Sequence, residues 1–329
     1  MRRRCRHVWP AVGAVALLVT GSCGPPVSPP EPLELRAPQG FPPMVVPADN
    51  PTTVQGVALG RQLFYDRRLS QRGNLACADC HVQSGSFSNP ISLGILPHVN
   101  LAWAHFFLWD GRVEGTLEDE MRVEVEFVFH TDVARLREPD LEQLFEAAFG
   151  SREITTGRAA YALAQFERTL VSHRSRLDRY VQGDTTALSP SERRGMAVFY
   201  SERAECFHCH ATLLFTDNLF HNNGLDAQVV GTGRGFITNV ARQDGHYKTP
   251  TLRNVALTGP YMHDDRFATL EGVIDFYSDG VVYSETIDAL IPNSTGGGMH
   301  LPVQDRADLV AFLRSLTDET FVSSPNFGP

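Results

Sequence analysis

Two five-residue stretches of the chain set the same chemical groups at the same spacing: CADCH at 77–81 and CFHCH at 206–210. Two thiols three positions apart can add to the two vinyl groups of a haem. The histidine directly after the second thiol then stands under the iron as an axial ligand. A zinc site built on a Cys-x-x-Cys pair needs two further thiolates or distant histidines. A dithiol redox site wants one motif in a βαβ setting, which this sequence does not offer. Two disulfides would use the four cysteines in an oxidising compartment, but they leave the histidine after each pair without a purpose. The expected cofactors are therefore two covalently bound c-type haems, attached at Cys77, Cys80, Cys206 and Cys209. His81 and His210 are the expected proximal iron ligands.

The segments that must position these motifs repeat as well. LGRQLFYDRRLSQRGNLACADCH is matched by RRGMAVFYSERAECFHCH, which pairs Gly60 with Gly195, Phe64 with Phe199 and Tyr65 with Tyr200. Each motif thus follows a short amphipathic helix that ends in an aromatic pair suited to packing on a haem. Residues 157–181 and 305–317 carry apolar side chains three and four apart, the spacing of further helices, and strand signals are few. The expectation is a mostly α fold: two cytochrome c-like haem domains with long loops and little β structure. The first is expected over 49–185 and the second over 186–329. Gly183, Asp184, Thr185 and Ser189-Pro190 mark the joint, where one helix stops and the next is capped.

The N-terminus reads as an export signal. Arg2, Arg3, Arg4 and Arg6 precede a short apolar run and small residues up to Cys23, too short to span a bilayer as a helix. The TGSC ending suggests a lipoprotein signal with Cys23 as the lipidated residue, with ordinary cleavage as the alternative. The proline-rich stretch that follows, 24–48, is expected to be an extended tether. A periplasmic location, with a lipid anchor to the membrane, fits this layout. The formal charge of −9 argues against a general nucleic-acid partner.

With these motifs in order, the chain resembles the bacterial di-haem cytochrome c peroxidase and MauG superfamily from about residue 50 to 317. The resemblance rests on LGRQLFYDRRLS, CADCH, FFLWDGRV, CFHCH, YKTPTLRNVALTGPYMHDDRF and TLEGVIDFY. It implies that the N-terminal haem meets hydrogen peroxide and the C-terminal haem, six-coordinate, stores or relays the oxidising equivalent. Counting from Leu270, the second axial ligand of the C-terminal haem falls on Tyr277, where the peroxidases carry Met; Met262 and Met299 are the alternatives. A phenolate stabilises oxidised iron, which favours the MauG/MbnH-like branch. There, a high-valent di-haem state oxidises Trp or Tyr residues of an exported partner protein. The alternative is a peroxidase fed by a small electron-donor protein, and a third reading is a di-haem electron carrier without catalysis.

The same resemblance places Trp109 between the haems as a relay. It gives the carbonyls of Thr258 and Pro260 to a calcium ion. As the cations of KTPTLRN, Arg253 and Lys248 are expected to pair with haem propionates. In the peroxide pocket Glu120 falls at the family's Gln position. The acid–base position falls at His130 by an ungapped count, with Asp132 or Glu126 as substitutes.

Overall fold

The structure, a computed structural model, describes residues 28–89, 91 and 94–329. The segment read as an export signal, with Cys23, lies outside the described residues. Eleven α-helices follow in order among these: α1 Val54–Tyr65, α2 Cys77–Cys80, α3 Leu117–Val123, α4 Pro139–Phe149, α5 Thr156–Glu167, α6 Arg176–Val181, α7 Pro190–Phe199, α8 Gly233–Thr238, α9 Leu270–Asp279, α10 Val303–Arg314 and α11 Glu319–Val322. The named strands have two residues each. β1 Phe106–Phe107 pairs antiparallel with β2 Val113–Glu114, and β3 Phe220–His221 with β4 Tyr247–Lys248. The rest is loop, short 3-10 turns and one π-helical segment, Glu124–Val128, among the described residues, so the fold is mostly α with small sheets. Among the described residues no helix is long and apolar enough to cross a membrane.

Two helix pairs form the heart of the molecule, and each pair meets at a glycine. A Cβ on Gly60 of α1 would lie 1.9 Å from the Ala162 carbonyl oxygen of α5. One on Gly195 of α7 would lie 1.8 Å from the Asp308 carbonyl oxygen of α10. Only glycine lets the backbones approach so closely. The aromatic pair ending each first helix then packs alike: Phe64 lies 5.4 Å from Phe166, and Phe199 lies 5.2 Å from Phe312. Around α1 and α5 gather Leu59, Leu63, Phe87, Leu141 and Phe145; around α7 and α10 gather Phe215, Leu270, Ile274 and Leu309.

The duplication extends to loops and ion pairs. Asn100 and Asn254 both adopt positive φ and open a 3-10 turn. Leu108 and Met262 match in positive φ, as do Gly111 and Asp265. Thr116 and Thr269 cap α3 and α9. The second residue of each of these helices pairs with an arginine: Glu118 with Arg168, and Glu271 with Arg314.

Two sequence expectations change here. Residues 31–42 do not stand free as a tether. The Leu33 amide donates to the Thr52 carbonyl, and Phe41 packs edge-on against Trp103, whose indole donates to the Pro42 carbonyl. The joint between the two units, placed by the turn residues at 183–190, falls earlier by packing. Leu177 of α6 already belongs to the second core, while Phe321 of α11 returns to the first.

Candidate active site

Each cysteine pair sits on a single turn whose next residue is held by the backbone. α2 carries Cys77 and Cys80, and its C-cap is His81. The His81 Nδ1 lies 2.8 Å from the Phe87 carbonyl oxygen, and the His210 Nδ1 lies 3.0 Å from that of Phe215. A carbonyl only accepts, so Nδ1 carries the proton and Nε2 keeps its lone pair, the tautomer a metal-binding imidazole needs. Burial lowers the pKa of both rings, that of His81 to about 3, so both are neutral. All four thiols are free. Burial pushes Cys206 and Cys209 up to about 12 and raises Cys77 and Cys80, which disfavours a thiolate redox or nucleophile role. Free thiols in pairs, each followed by a neutral imidazole with one open nitrogen, fit covalent haem.

The second unit holds a cavity of about 210 Å³ beside its motif. Cys206, Cys209 and His210 line it together with Tyr277, Met262 and Met299. The Tyr277 phenol oxygen accepts a hydrogen bond of 3.1 Å from Asn223, whose amide also lies 3.5 Å from the Met262 sulfur. Sequence reading did not find Asn223, because it lies 54 positions from Tyr277 and carries no motif. Leu252, Val273 and Leu313 supply apolar wall, and Lys248, its ammonium lowered to about 8 by burial, reaches the same space. Arg253 does not: it is fully buried and forks onto Asp178 at 2.6 and 2.8 Å, so its charge is already matched. His221 is clamped between Asp217 and Asp288 at 2.8 and 2.6 Å.

Trp109 sits on the β1–β2 loop of the first unit yet lines the cavity of the second. Its indole N–H donates to the Gly94 carbonyl at 2.6 Å, and its own carbonyl accepts from the Lys248 amide at 2.7 Å. Thr258 and Pro260 line the cavity as well.

The first unit places different chemistry at its motif. The His98 ring stacks on His81 with centroids 3.5 Å apart, and its Nδ1 lies 2.9 Å from Glu167 Oε1. Glu120 and Glu167 are buried, and one carboxyl oxygen of each lacks a hydrogen-bond partner. Burial, followed by the charges of Glu124 and Glu167, pushes Glu120 up to about 8. Glu124 is pushed up to about 7 by burial and then Glu167. His130 is not among these groups. It lies exposed beyond a π-helical segment, Glu124–Val128, with φ of 47°. Its substitutes are engaged elsewhere: Asp132 caps the next turn, and Glu126 accepts from the Thr156 hydroxyl. The π segment lies between Glu120 and His130, and the ungapped count from Trp109 ends on an exposed residue. Glu124 and Glu167 were not found from sequence.

Comparison with known proteins gives the same neighbourhood. The family model described as di-haem cytochrome c peroxidase matches residues 54–186. The methylamine utilization protein MauG of Methylophilus methylotrophus is 35% identical over 289 residues, covering 82% of this chain and 84% of that protein. MauG of Methylorubrum extorquens is 37% identical over 296 residues, covering 83% and 81%. The crystal structure of a MauG-like protein associated with microbial copper homeostasis superposes with a TM-score of 0.81 at 33% identity, covering 90% of this chain and 99% of that one.

Proposed function

The chain belongs to the di-haem cytochrome c peroxidase family, and on that premise we propose that it is an exported, periplasmic enzyme that uses hydrogen peroxide to oxidise Trp or Tyr side chains of a partner protein. The observation that carries this reading is Tyr277, a phenol facing the Cys206–His210 cavity with its oxygen fixed by Asn223. The haems, when bound, supply peroxide activation and storage of two oxidising equivalents. His81 and His210 would hold them from one side through Nε2, and Tyr277 would close the other side of the second. A phenolate favours the higher oxidation state of iron, whereas a thioether favours the lower. A second unit closed by Tyr277 is therefore suited to holding an oxidising equivalent rather than to accepting electrons from a mild donor.

The remaining residues have supporting parts. Trp109 offers an indole between the two pockets for the passage of an electron hole. Lys248 offers a cation for a haem propionate. Glu120 keeps a polar, proton-holding wall in the first pocket. The carbonyls of Thr258 and Pro260 are proposed to hold a calcium ion, which chelation followed by metal analysis tests. The overall balance is H2O2 plus two protons and two electrons to two waters; the partner's aromatic residue supplies the two electrons and two protons as it takes up one oxygen from water. The lipidated Cys23 and the copper-binding character of the partner belong to this same proposal, the latter by likeness to the copper-associated relative.

The alternative is peroxide reduction with electrons from a small cytochrome c or cupredoxin. Two measurements separate the readings. Wild-type protein should show one high-spin and one low-spin ferric haem by electron paramagnetic resonance, and Tyr277→Phe should abolish the low-spin signal. An unchanged low-spin signal in that variant removes Tyr277 as the ligand. Mass spectrometry of co-expressed exported proteins after peroxide treatment should show oxygen added to an aromatic residue. Fast turnover with a reduced small donor and no modified protein would favour the alternative.

A further inference from the structure

Asn223 touches two candidate iron ligands at once. Its side-chain nitrogen donates to the Tyr277 phenol oxygen at 3.1 Å and lies 3.5 Å from the Met262 sulfur. All three side chains line the cavity beside Cys206, Cys209 and His210. An oxygen and a sulfur that share one nitrogen lie close together, so the pocket holds two groups able to close the same face of the second iron. Met299 lines the cavity from another side. Its amide donates to the Tyr277 carbonyl, and its side chain packs with the α7–α10 core. Met262 and Tyr277 instead pack together against Leu225, Phe276 and Val281.

The neighbours of Asn223 fix it in place. The side chain of the buried Asn222 donates to the hydroxyls of Ser284 and Thr286 at 3.0 and 2.9 Å, and its oxygen accepts from the Gly224 amide at 3.0 Å. Gly224 has φ of 78°, and a Cβ there would lie 2.8 Å from both Ile287 and Val281. Its carbonyl accepts from the Val282 amide at 2.8 Å. The turn is thus anchored on both sides of Asn223 by the loop that follows α9. Met262 is held differently. Its backbone has φ of 75° in a turn closed by the pairing of Tyr261 with Phe267, but its thioether has three rotatable bonds and can swing.

A fixed donor discriminates between the two. An N–H aimed at a phenolic oxygen stabilises the negative charge that oxygen carries as a ligand. Sulfur accepts only weakly, so the longer contact steers the thioether without binding it. We infer that Asn223 is the positioning residue that selects Tyr277 over Met262 as the group closing the second iron. The consequence is a redox one. A phenolate favours the higher oxidation state and a thioether the lower, so one amide decides whether the second unit holds an oxidising equivalent or accepts an electron.

The inference rests on the Tyr277 ligation proposed above, and the test separates the two. Haem-loaded Asn223→Leu, Met262→Leu and the double variant are compared with wild type by ferric paramagnetic resonance, near-infrared absorption and redox titration of the second haem. Leucine is close to asparagine in shape and donates nothing. Met262→Leu should keep the wild-type low-spin signal and potential. Asn223→Leu should lose that signal, gain a sulfur-to-iron charge-transfer band and shift to a higher potential. The double variant should lose the band again. Asn223→Ala carries the same expectation should Asn223→Leu fail to fold. Wild-type spectra in the Asn223 variants, or a band that survives in the double variant, overturn the selection. A high-spin signal without the band would make Asn223 a support of Tyr277 alone, which overturns it too. If Tyr277→Phe leaves the low-spin signal unchanged, the ligand reading falls and the inference with it. If Tyr277→Phe changes that signal and the Asn223 variants do not, only the selection falls.

Discussion

Glu120 shows what single residues contribute in the first pocket. Its carboxyl is pushed up to about 8, first by burial and then by Glu124 and Glu167, against an ordinary value near 4.3. The folded chain thus keeps a proton that the unfolded chain gives up. The resulting stabilisation is full below about pH 4 and is lost as pH rises through about 8. The urea midpoint should therefore fall between pH 5 and pH 8, and Glu120→Gln should flatten that fall. An identical slope in the variant would place the missing proton elsewhere. The two Cys-x-x-Cys-His motifs could be picked out from their spacing alone, whereas Trp109 and Tyr277 were singled out only through the family resemblance; both line the second unit's cavity. The acids Glu124 and Glu167 were found by neither route. Glu124 opens a π segment that the letters EVEFV do not announce, and His130 lies exposed beyond it. One available signal was the internal match of TLEDEMRVE to TLEGVIDFY.

At the scale of elements, duplication gives a controlled comparison of one interaction in two settings. The α3–α5 pair Glu118–Arg168 is buried, at 6% and 2% side-chain exposure, while the α9–α10 pair Glu271–Arg314 stands 51% and 57% exposed. The distances are nearly the same, 2.6 and 2.7 Å. Solvent screens the second, so removing it should cost about 0–1 kcal/mol. In the first, deleting one partner strands a desolvated charge, and the cost rises to about 3–5 kcal/mol. Denaturant unfolding of Glu118→Ala and Glu271→Ala checks this, with a near-neutral Glu118→Ala as the result that would refute it. Helical spacing was readable over 157–181 and 305–317 and the cap at Ser189, but the first stretch is two helices, α5 and α6, because the chain leaves the helix after Glu167 and is recapped at Ser175. The crossing of each helix pair was only half readable: Gly60 and Gly195 stood out as a matched pair, but nothing local said that each meets a carbonyl of the distant helix.

At the scale of the whole molecule, the two units exchange their ends. After α5 the chain passes Ser172, whose amide donates to the Asn100 side chain. After α10 it passes Asp318, whose amide donates to Asn254. The two crossing points also touch: Asp318 accepts from the amides of His173 and Arg174 at 2.9 and 2.8 Å. From there 173–181 runs onto the second core with Leu177, and 319–327 runs onto the first, where Phe321 packs on Phe87 and Phe327. Turn residues at 183–190 mark where a helix is capped, but packing decides where a unit ends, and such long-range packing has no local signature. The exchange has a consequence for unfolding. Phe321→Ala lies in the C-terminal segment yet should weaken the first unit, by about 3–5 kcal/mol. Its loss of amide-exchange protection should appear in α1 and α5 before α7 and α10. Leu177→Ala should do the reverse, weakening the second unit by about 2–5 kcal/mol from a position within 49–185, the span expected to form the first unit. If each substitution instead loosens the unit that its place in the sequence suggests, the ends are not exchanged. If both loosen all four helices together, the two units unfold as one, and the haem pockets owe their relative placement to a single cooperative core.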